Sequence, residues 1–308
     1  MRFRRSLIWS CLAIVAACGK SKAQREPAAP PAAAVALPAE TKTIIGLDVA
    51  PVAASPLAAR AVRALLAEDP ETRAKLDGLL ARCKLDPAAD LKTIAVAMAA
   101  PEDVAVVATG RLDEKSLVAC IRETAAVEQR GRAYAATGKD GQKVFFAFGG
   151  GPSLVLATSE VWLGKVIDPA APKLGGAMAA RVARVSPKAA LWGVGELPPG
   201  VGQKLVELSK GQLAAPAQAV TFEVELDGGV AGSLVAEMAS ADDADKLAAL
   251  VKSQLGWATV FAQRWGLGRL VAKAVVHTEG HGVRVSLKLD DKELGEIAAV
   301  LDGKEQTK

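Results

Sequence analysis

The chain of 308 residues is poor in the side chains on which most enzymes rely: it has two histidines, four cysteines and only 4% aromatic residues. No Gly-x-Ser-x-Gly stretch supplies a nucleophile elbow. The glycine run Gly149–Gly151 is not followed by Gly-Lys-Ser or Gly-Lys-Thr, so it predicts a turn or bulge between strands and not a phosphate loop. These absences favour a protein that is not an enzyme.

The two histidines, His277 and His281, flank Thr278-Glu279-Gly280. Two imidazoles with Glu279 between them are compatible with a metal site. However, the segment has the pattern of a hairpin, and the helical His-Glu-x-x-His spacing is absent. Polar turn residues are the better interpretation, so we predict no metal and no other cofactor.

A short apolar run near the N-terminus carries the clearest motif. Arg2, Arg4 and Arg5 precede the stretch 7–17, which is about 11 residues long where a membrane-spanning helix needs roughly 20. The stretch ends in Val15-Ala16-Ala17-Cys18, which resembles the lipobox of bacterial lipoproteins. An ordinary secretory signal with a cysteine nearby is the alternative.

The resemblance implies that Cys18 receives a diacylglyceryl group and that the chain is cut between Ala17 and Cys18. Cys18 would then anchor the protein to a membrane, and Cys11 would be lost with the signal peptide. Gly19, in place of an aspartate, favours the outer membrane, with the body in the periplasm or at the cell surface. The body also resembles Ala-rich lipoproteins of myxobacteria, which supplies no activity.

The charge balance of the mature chain argues against a nucleic-acid partner. Cleavage removes three arginines and leaves 35 Lys and Arg against 34 Asp and Glu. A nearly neutral chain has no electrostatic footprint for nucleic acid. Later apolar stretches are interrupted by charges and prolines, so the body is predicted to be soluble.

Composition and periodicity predict six segments. A signal peptide (1–17) and a lipidated Ala/Pro-rich tether (18–41) come first. They are followed by a first α+β repeat (42–168), a connector (169–188), a second α+β repeat (189–302) and a polar tail (303–308).

The fold class that we predict is α+β, in two similar halves, each a mainly antiparallel sheet with helices packed on one face. Each repeat has the order strand, helix, two strands, helix, hairpin, helix. A helix is predicted over 112–129 with Asp113 as N-cap, and a hairpin turn at Asp140-Gly141. Similar order without duplication is the alternative, and the pattern does not decide whether the two sheets are separate or continuous.

Cys83 and Cys120 are the two cysteines of the body. An even pair in an exported domain most often forms a disulfide, and we predict this bond, with two separate buried thiols as the alternative. A redox-active role is not expected because the pair is not a Cys-x-x-Cys motif.

Two clusters on a predicted helix complete the candidates. Asp242, Asp243 and Asp245 suit the positive end of the helix dipole, a structural role. The residues Trp257, Phe261 and Trp265 recur every four positions, which aligns them on one helical face. Large side chains at helical spacing are usually part of the core, so core packing is the interpretation that we favour, with contact with an apolar ligand or partner as the alternative.

The function that we expect is that of a non-enzymatic envelope lipoprotein, a binding or assembly component with an envelope protein as partner. A carrier or sensor of a lipid-like apolar ligand is the alternative. An enzyme would need carboxylates or His277 to converge in a cleft.

Overall fold

The computed structural model describes residues 37–67, 69–100, 102–138, 141–149 and 153–305. The lipobox with Cys18, the tether as far as residue 36 and the tail residues 306–308 lie outside the described residues. The chain divides into two compact units, Met1–Leu191 and Trp192–Lys308.

The described residues of the first unit form seven strands. They are β1 (Thr43–Asp48), β2 (Leu91–Ala100), β3 (Asp103–Gly110), β4 (Ala126–Arg130), β5 (Ala133–Thr137), β6 (Lys143–Phe148) and β7 (Ser153–Ala157). Their order in the sheet is β1-β2-β3-β7-β6-β5-β4, and every neighbouring pair is antiparallel.

Seven helices accompany these strands in the described part of the first unit. They are α1 (Val49–Ala54), α2 (Pro56–Ala67), α3 (Pro70–Cys83), α4 (Pro87–Asp90), α5 (Glu114–Arg122), α6 (Glu160–Ile167) and α7 (Gly176–Ala183). Side-chain oxygens of Asp86, Asp113 and Ser159 accept backbone N–H groups at the starts of α4, α5 and α6. Such N-caps satisfy amides that have no partner within the helix. The N-cap predicted at Asp113 is thus confirmed.

The helix predicted over 112–129 is wrong at its C-terminal end. Helix α5 ends at Arg122, and β4 begins at Ala126 and pairs with β5. Gly131, in the turn between these two strands, has a φ of 62°, which glycine adopts without steric cost. The end of the predicted helix is therefore the strand β4 in the first unit.

Residues 37–41, which we assigned to the tether, pack within the first unit. The Leu37 side chain is fully buried, and its carbonyl accepts the N–H of Leu174 at 2.8 Å. Pro38 forms an isolated antiparallel bridge with Lys173, and Glu40 pairs with Lys165. The first described residues, Leu37 and Pro38, thus contact the predicted connector over 169–188, which contains α7.

The second unit has five strands and four helices in its described part. They are β8 (Leu191–Glu196), α8 (Pro199–Leu208), β9 (Ala219–Glu225), β10 (Gly229–Glu237), α9 (Ala241–Gln263), α10 (Gly268–Val271), β11 (Val275–Glu279), β12 (Gly282–Asp290) and α11 (Asp291–Glu305). The strand order is β8-β9-β10-β12-β11. Strand β10 pairs antiparallel with both β9 and β12, and β12 pairs antiparallel with β11. Helix α11 includes residues 303–305 of the predicted tail.

Each unit has an apolar core beneath its helices. In the first unit, Phe146 and Tyr134 stack with ring centroids 5.0 Å apart and pack against Val118 of α5. In the second unit, Leu247 and Ala248 of α9 belong to a buried cluster with residues of β10, β11 and β12. These contacts agree with the α+β class and its antiparallel sheet. None of the described helices has the length and apolarity required to cross a membrane.

Candidate functional site

A disulfide joins Cys83, the last residue of α3, to Cys120 of α5, as predicted. The Cα atoms of the two residues lie 5.4 Å apart, within the usual range for disulfides. Both thiols are consumed by this bond, so neither is a free nucleophile.

The acidic cluster at the start of α9 has the structural role that we predicted. Ser240 is the N-cap, and its hydroxyl accepts the N–H of Asp243 at 3.1 Å. The buried Asp243 carboxylate accepts the N–H of Ala214 at 2.8 Å and the Ser240 hydroxyl at 2.9 Å. The Ala214 amide first and the Ser240 hydroxyl second hold the pKa of Asp243 below its ordinary value. The exposed Asp242 pairs with Lys246.

Helix α9 is apolar on two opposite sides in its C-terminal half. Its inner side carries Leu255, Thr259 and Ala262, which are buried or half-buried. The other side carries the residues that we name the aromatic patch: Trp257, Val260, Phe261 and Trp265, which are 71%, 59%, 57% and 40% exposed. The stripe predicted from the spacing therefore faces outward, and the core-packing interpretation is wrong, because the opposite side of α9 is the one that packs inward.

Helix α9 continues through Gly256, although glycine is unfavourable inside a helix. Helix α9 continues to Gln263, and Trp265 follows in the turn that closes it, where its N–H donates to Ala262. Gly266, with a φ of 73°, then turns the chain toward α10. A single glycine costs a helix about 1 kcal/mol, which the packing of Leu255 and Ala262 offsets.

The aromatic side chains of the patch contact each other and a cation. The Phe261 and Trp265 rings lie 5.6 Å apart, and the Arg264 guanidinium lies 5.2 Å from the centre of the Phe261 ring. From Lys246 to Thr278 the sequence contains five Lys and Arg and no Asp or Glu. The patch is therefore an aromatic surface with positive charge along its helix.

The ion pairs of the described residues divide these five cations into two groups. Lys246 pairs with Asp242, whereas Arg269 and Lys273 pair with Glu293 of α11. In the part of the chain that the structure describes, Lys252 and Arg264 make no ion pair. They are the cations on α9 that remain open to a carboxylate from outside.

Glu293 is a buried charged residue that the sequence analysis did not single out. Its carboxylate accepts Lys273 at 2.6 Å, Arg269 at 3.1 Å and the N–H of Asp290 at 3.1 Å, while Asp290 accepts the N–H of Glu293. Lys273 first, and the Asp290 amide second, lower the pKa of Glu293. The spacing Asp290-x-x-Glu293 before an apolar helix resembles a capping box, which is the signal that would have found it.

The histidines are placed as polar residues of a hairpin. His277 lies on β11, His281 lies in the turn to β12, and His277 Nε2 is 3.1 Å from Glu279 Oε1. Within the described ranges no three His, Cys, Asp or Glu side chains form a group that could hold a metal ion.

An open groove of about 340 Å³ lies on the sheet of the second unit. Its charged lining residues are Glu223, Glu225, Lys273 and Lys288, from β9, the segment after α10, and β12. None of Trp257, Phe261 and Trp265 lines it. The lining also includes the apolar residues Ala231, Val275 and Leu287.

No family model and no curated protein matches the sequence. Among solved structures, crystal form I of TP0453 shares 12% identical residues at a TM-score of 0.48, over 91% of this chain and 99% of that chain. Crystal form III of TP0453 shares 10% at a TM-score of 0.49, over 92% and 100%. Likeness at this level carries no conclusion about activity or partners.

Proposed function

We propose that the protein is a non-enzymatic lipoprotein of the bacterial cell envelope that works as a binding or assembly component. The observation that carries the proposal is the aromatic patch on α9. Trp257, Phe261 and Trp265 are exposed in a chain with only 4% aromatic residues. Exposed aromatic clusters are costly in water and mark interaction surfaces.

The anchor of this proposal is Cys18, acylated at the lipobox. From Cys18 to residue 36, a proline-rich tether of about 19 residues at about 3.1 Å each reaches roughly 60 Å. The packing of Leu37 marks where the tether would end, and the outer membrane is the favoured location.

The polar groups of the described chain support a binding role over a catalytic one. The carboxylates with lowered pKa are held by helix caps or by ion pairs, as Asp243 and Glu293 are. A catalytic group more often has a perturbed pKa in a cleft, with a free face toward a substrate. A carrier of a lipid-like ligand is less favoured because the groove of the second unit is open and none of Trp257, Phe261 and Trp265 lines it.

The proposal includes a duplication, with two similar halves that each have helices on one face of a sheet. Strand order β8-β9-β10-β12-β11 in the second unit parallels β1-β2-β3-β7-β6 in the first. Helix α5 follows the pair β2 and β3, as α9 follows the pair β9 and β10. Helix α6 follows β7, as α11 follows β12. Under this proposal β4 and β5 are additions to the first half.

The test compares envelope complexes of the wild-type chain and a Trp257→Ser/Phe261→Ser variant, extracted in mild detergent and separated by native electrophoresis. The variant should lose a high-mass complex while keeping its circular dichroism spectrum. Val161→Ser is the matched control, because Val161 is an exposed apolar residue of α6 outside the patch. A complex of unchanged mass and amount in the double variant would contradict the binding role.

The anchor has its own test. Cys18→Ser should release the protein from the membrane fraction, and unchanged membrane retention would refute the lipid anchor.

A further inference from the structure

The aromatic patch combines exposed apolar side chains with the cation of Arg264, and the segment from Lys246 to Thr278 that contains it has no Asp or Glu. Resting on the binding role proposed above, we propose that the patch docks a protein partner whose contact surface is apolar at its centre and carries carboxylates at its edge. Arg264 is the group that would meet those carboxylates.

Arg264 lies where it could donate hydrogen bonds to a carboxylate of the partner. Its guanidinium carbon lies over the Phe261 ring, 5.2 Å from the ring centre. A guanidinium carries five N–H donors in a planar fork, which can donate two parallel hydrogen bonds to a carboxylate. Arginine and aromatic residues are also enriched among the residues that contribute most to protein–protein binding.

The size of the patch fits the centre of a protein interface. With aromatic side chains of about 150–250 Å² each, exposed fractions of 71%, 57% and 40% correspond to about 250–420 Å². One partner in a standard interface buries about 800 Å², with an apolar centre and a polar rim. The patch supplies such a centre, and Arg264 lies beside it.

A lipid surface fits the charges less well. Segments that bind anionic lipid typically carry clusters of about 4–8 Lys and Arg. Three of the five cations between Lys246 and Thr278 are already paired with Asp242 or Glu293. Two open cations are too few for strong attraction to a membrane, but enough to pair with one or two carboxylates.

A second copy of the chain fits less well for a different reason. In a two-fold symmetric dimer the same patch lies on both sides of the interface. Because no Asp or Glu lies between Lys246 and Thr278, the opposing copy of this segment would offer Arg264 no carboxylate. Charge complementarity therefore favours an acidic partner of another sequence.

The first experiment identifies what covers the patch in cells. p-Benzoylphenylalanine in place of Val260 leaves Trp257, Phe261 and Arg264 intact, and the same group in place of the exposed Ala249 of α9 is the control. After irradiation of intact cells that express the full chain, we expect at position 260 an adduct with a protein that mass spectrometry identifies, and we do not expect this adduct at position 249.

The second experiment measures the contact with the identified partner, using the full chain with Cys18→Ser and isothermal titration calorimetry. Arg264→Gln should weaken binding about ten- to hundredfold, as expected for loss of hydrogen bonds to a charged group. Arg264→Lys should recover part of the affinity, Val161→Ser should change nothing, and affinity should fall as salt is raised.

Four outcomes would overturn the inference: adducts with lipid alone, adducts with a second copy of the chain, no adduct, or a partner whose affinity is the same for Arg264→Gln. Sedimentation of the Cys18→Ser chain with phosphatidylglycerol vesicles is the matching arm for lipid, since loss of that binding in Trp257→Ser/Phe261→Ser would assign the patch to membrane. Lipid or dimer adducts leave the patch as a binding surface and reject only the acidic partner. Absence of any adduct, with unchanged complexes in the double variant, rejects the binding role as well.

Discussion

Removal of the Cys83–Cys120 disulfide tests how much of the stability of the first unit comes from a covalent cross-link. The bond spans a sequence separation of 37 residues, and the loop that it closes contains α4, β2 and β3. In the chain-entropy model a closed loop of this length stabilises the folded state by about 4 kcal/mol, because the cross-linked unfolded chain has fewer conformations. The variant is Cys83→Ala/Cys120→Ala, which leaves no unpaired thiol in the body.

The assay is urea unfolding of the chain with Cys18→Ser, followed by circular dichroism. With a urea dependence of about 2–3 kcal/mol per molar, a loss of 4 kcal/mol lowers the midpoint by about 1–2 M. The wild-type body unfolded in the presence of a reductant should show a similar shift. Residues 192–308 contain no cysteine, so a separate transition of the second unit serves as an internal reference and should not move.

Equal midpoints for the oxidised chain, the reduced chain and the double variant would refute this reasoning. Such a result would mean one of two things. Either contacts between α3 and α5 persist in the unfolded chain and already restrict it without the bond, or the bond strains the native state by as much as it stabilises it. A shift confined to the second unit would be equally inconsistent, because both cysteines belong to the first.

Three further predictions concern a buried ring of the core, the ion-pair cluster of Glu293, and a glycine that lies against the backbone of Asp90. Phe146→Ala should destabilise the first unit by about 3–5 kcal/mol in urea unfolding, because this fully buried ring stacks on Tyr134. The lowered pKa of Glu293 means that its stabilising contribution is present above the ordinary glutamate pKa and is lost as the pH falls below about 4.3 through the folded-state value. Glu293→Gln should therefore lower the melting temperature at pH 7 and flatten its decline toward acid pH in calorimetry. Gly110→Ala should destabilise the chain strongly, because Gly110 has a φ of 157° and an added Cβ would overlap the carbonyl oxygen of Asp90; calorimetry should show no such loss for Gly78→Ala, which meets nothing within 4 Å.

Features governed by neighbouring residues could be predicted from the sequence. Asp113 caps α5, the break before Pro70 separates α2 from α3, and β5 and β6 form the predicted hairpin around Gly141. In each case the local chemistry of a cap, a proline or a glycine permits few alternatives. Residues 139–140 of that hairpin turn lie outside the described residues.

Features governed by distant partners could not be predicted. The segment Ala126–Arg130 consists mostly of good helix formers, yet it pairs with β5 as strand β4. Val127 packs near Phe146 in the core, and Arg130 pairs with Glu160 of α6. These contacts outweigh a helix propensity that differs by only tenths of a kcal/mol per residue.

The buried polar groups of the second unit show the same limit. Asp243 was predicted to lie at the start of a helix, but the partner amide of Ala214 lies 29 residues away in sequence. The cluster of Glu293 with Arg269 and Lys273 joins α11 to α10 and to the segment after it. The spacing of residues along one helix or strand predicts that helix or strand. It does not identify the residue elsewhere in the chain that pairs with it.

The sequence by itself determined that Trp257, Phe261 and Trp265 share one side of a helix and that Cys83 and Cys120 are suited to a disulfide, because spacing and cysteine count depend on the chain alone. Only the tertiary structure decided that this side faces outward. Helix α9 has two apolar sides, and the side with Leu247, Leu255 and Ala262 is the one that packs inward. That choice depends on which surface matches the sheet and the segments around it, and it leaves the aromatic patch exposed.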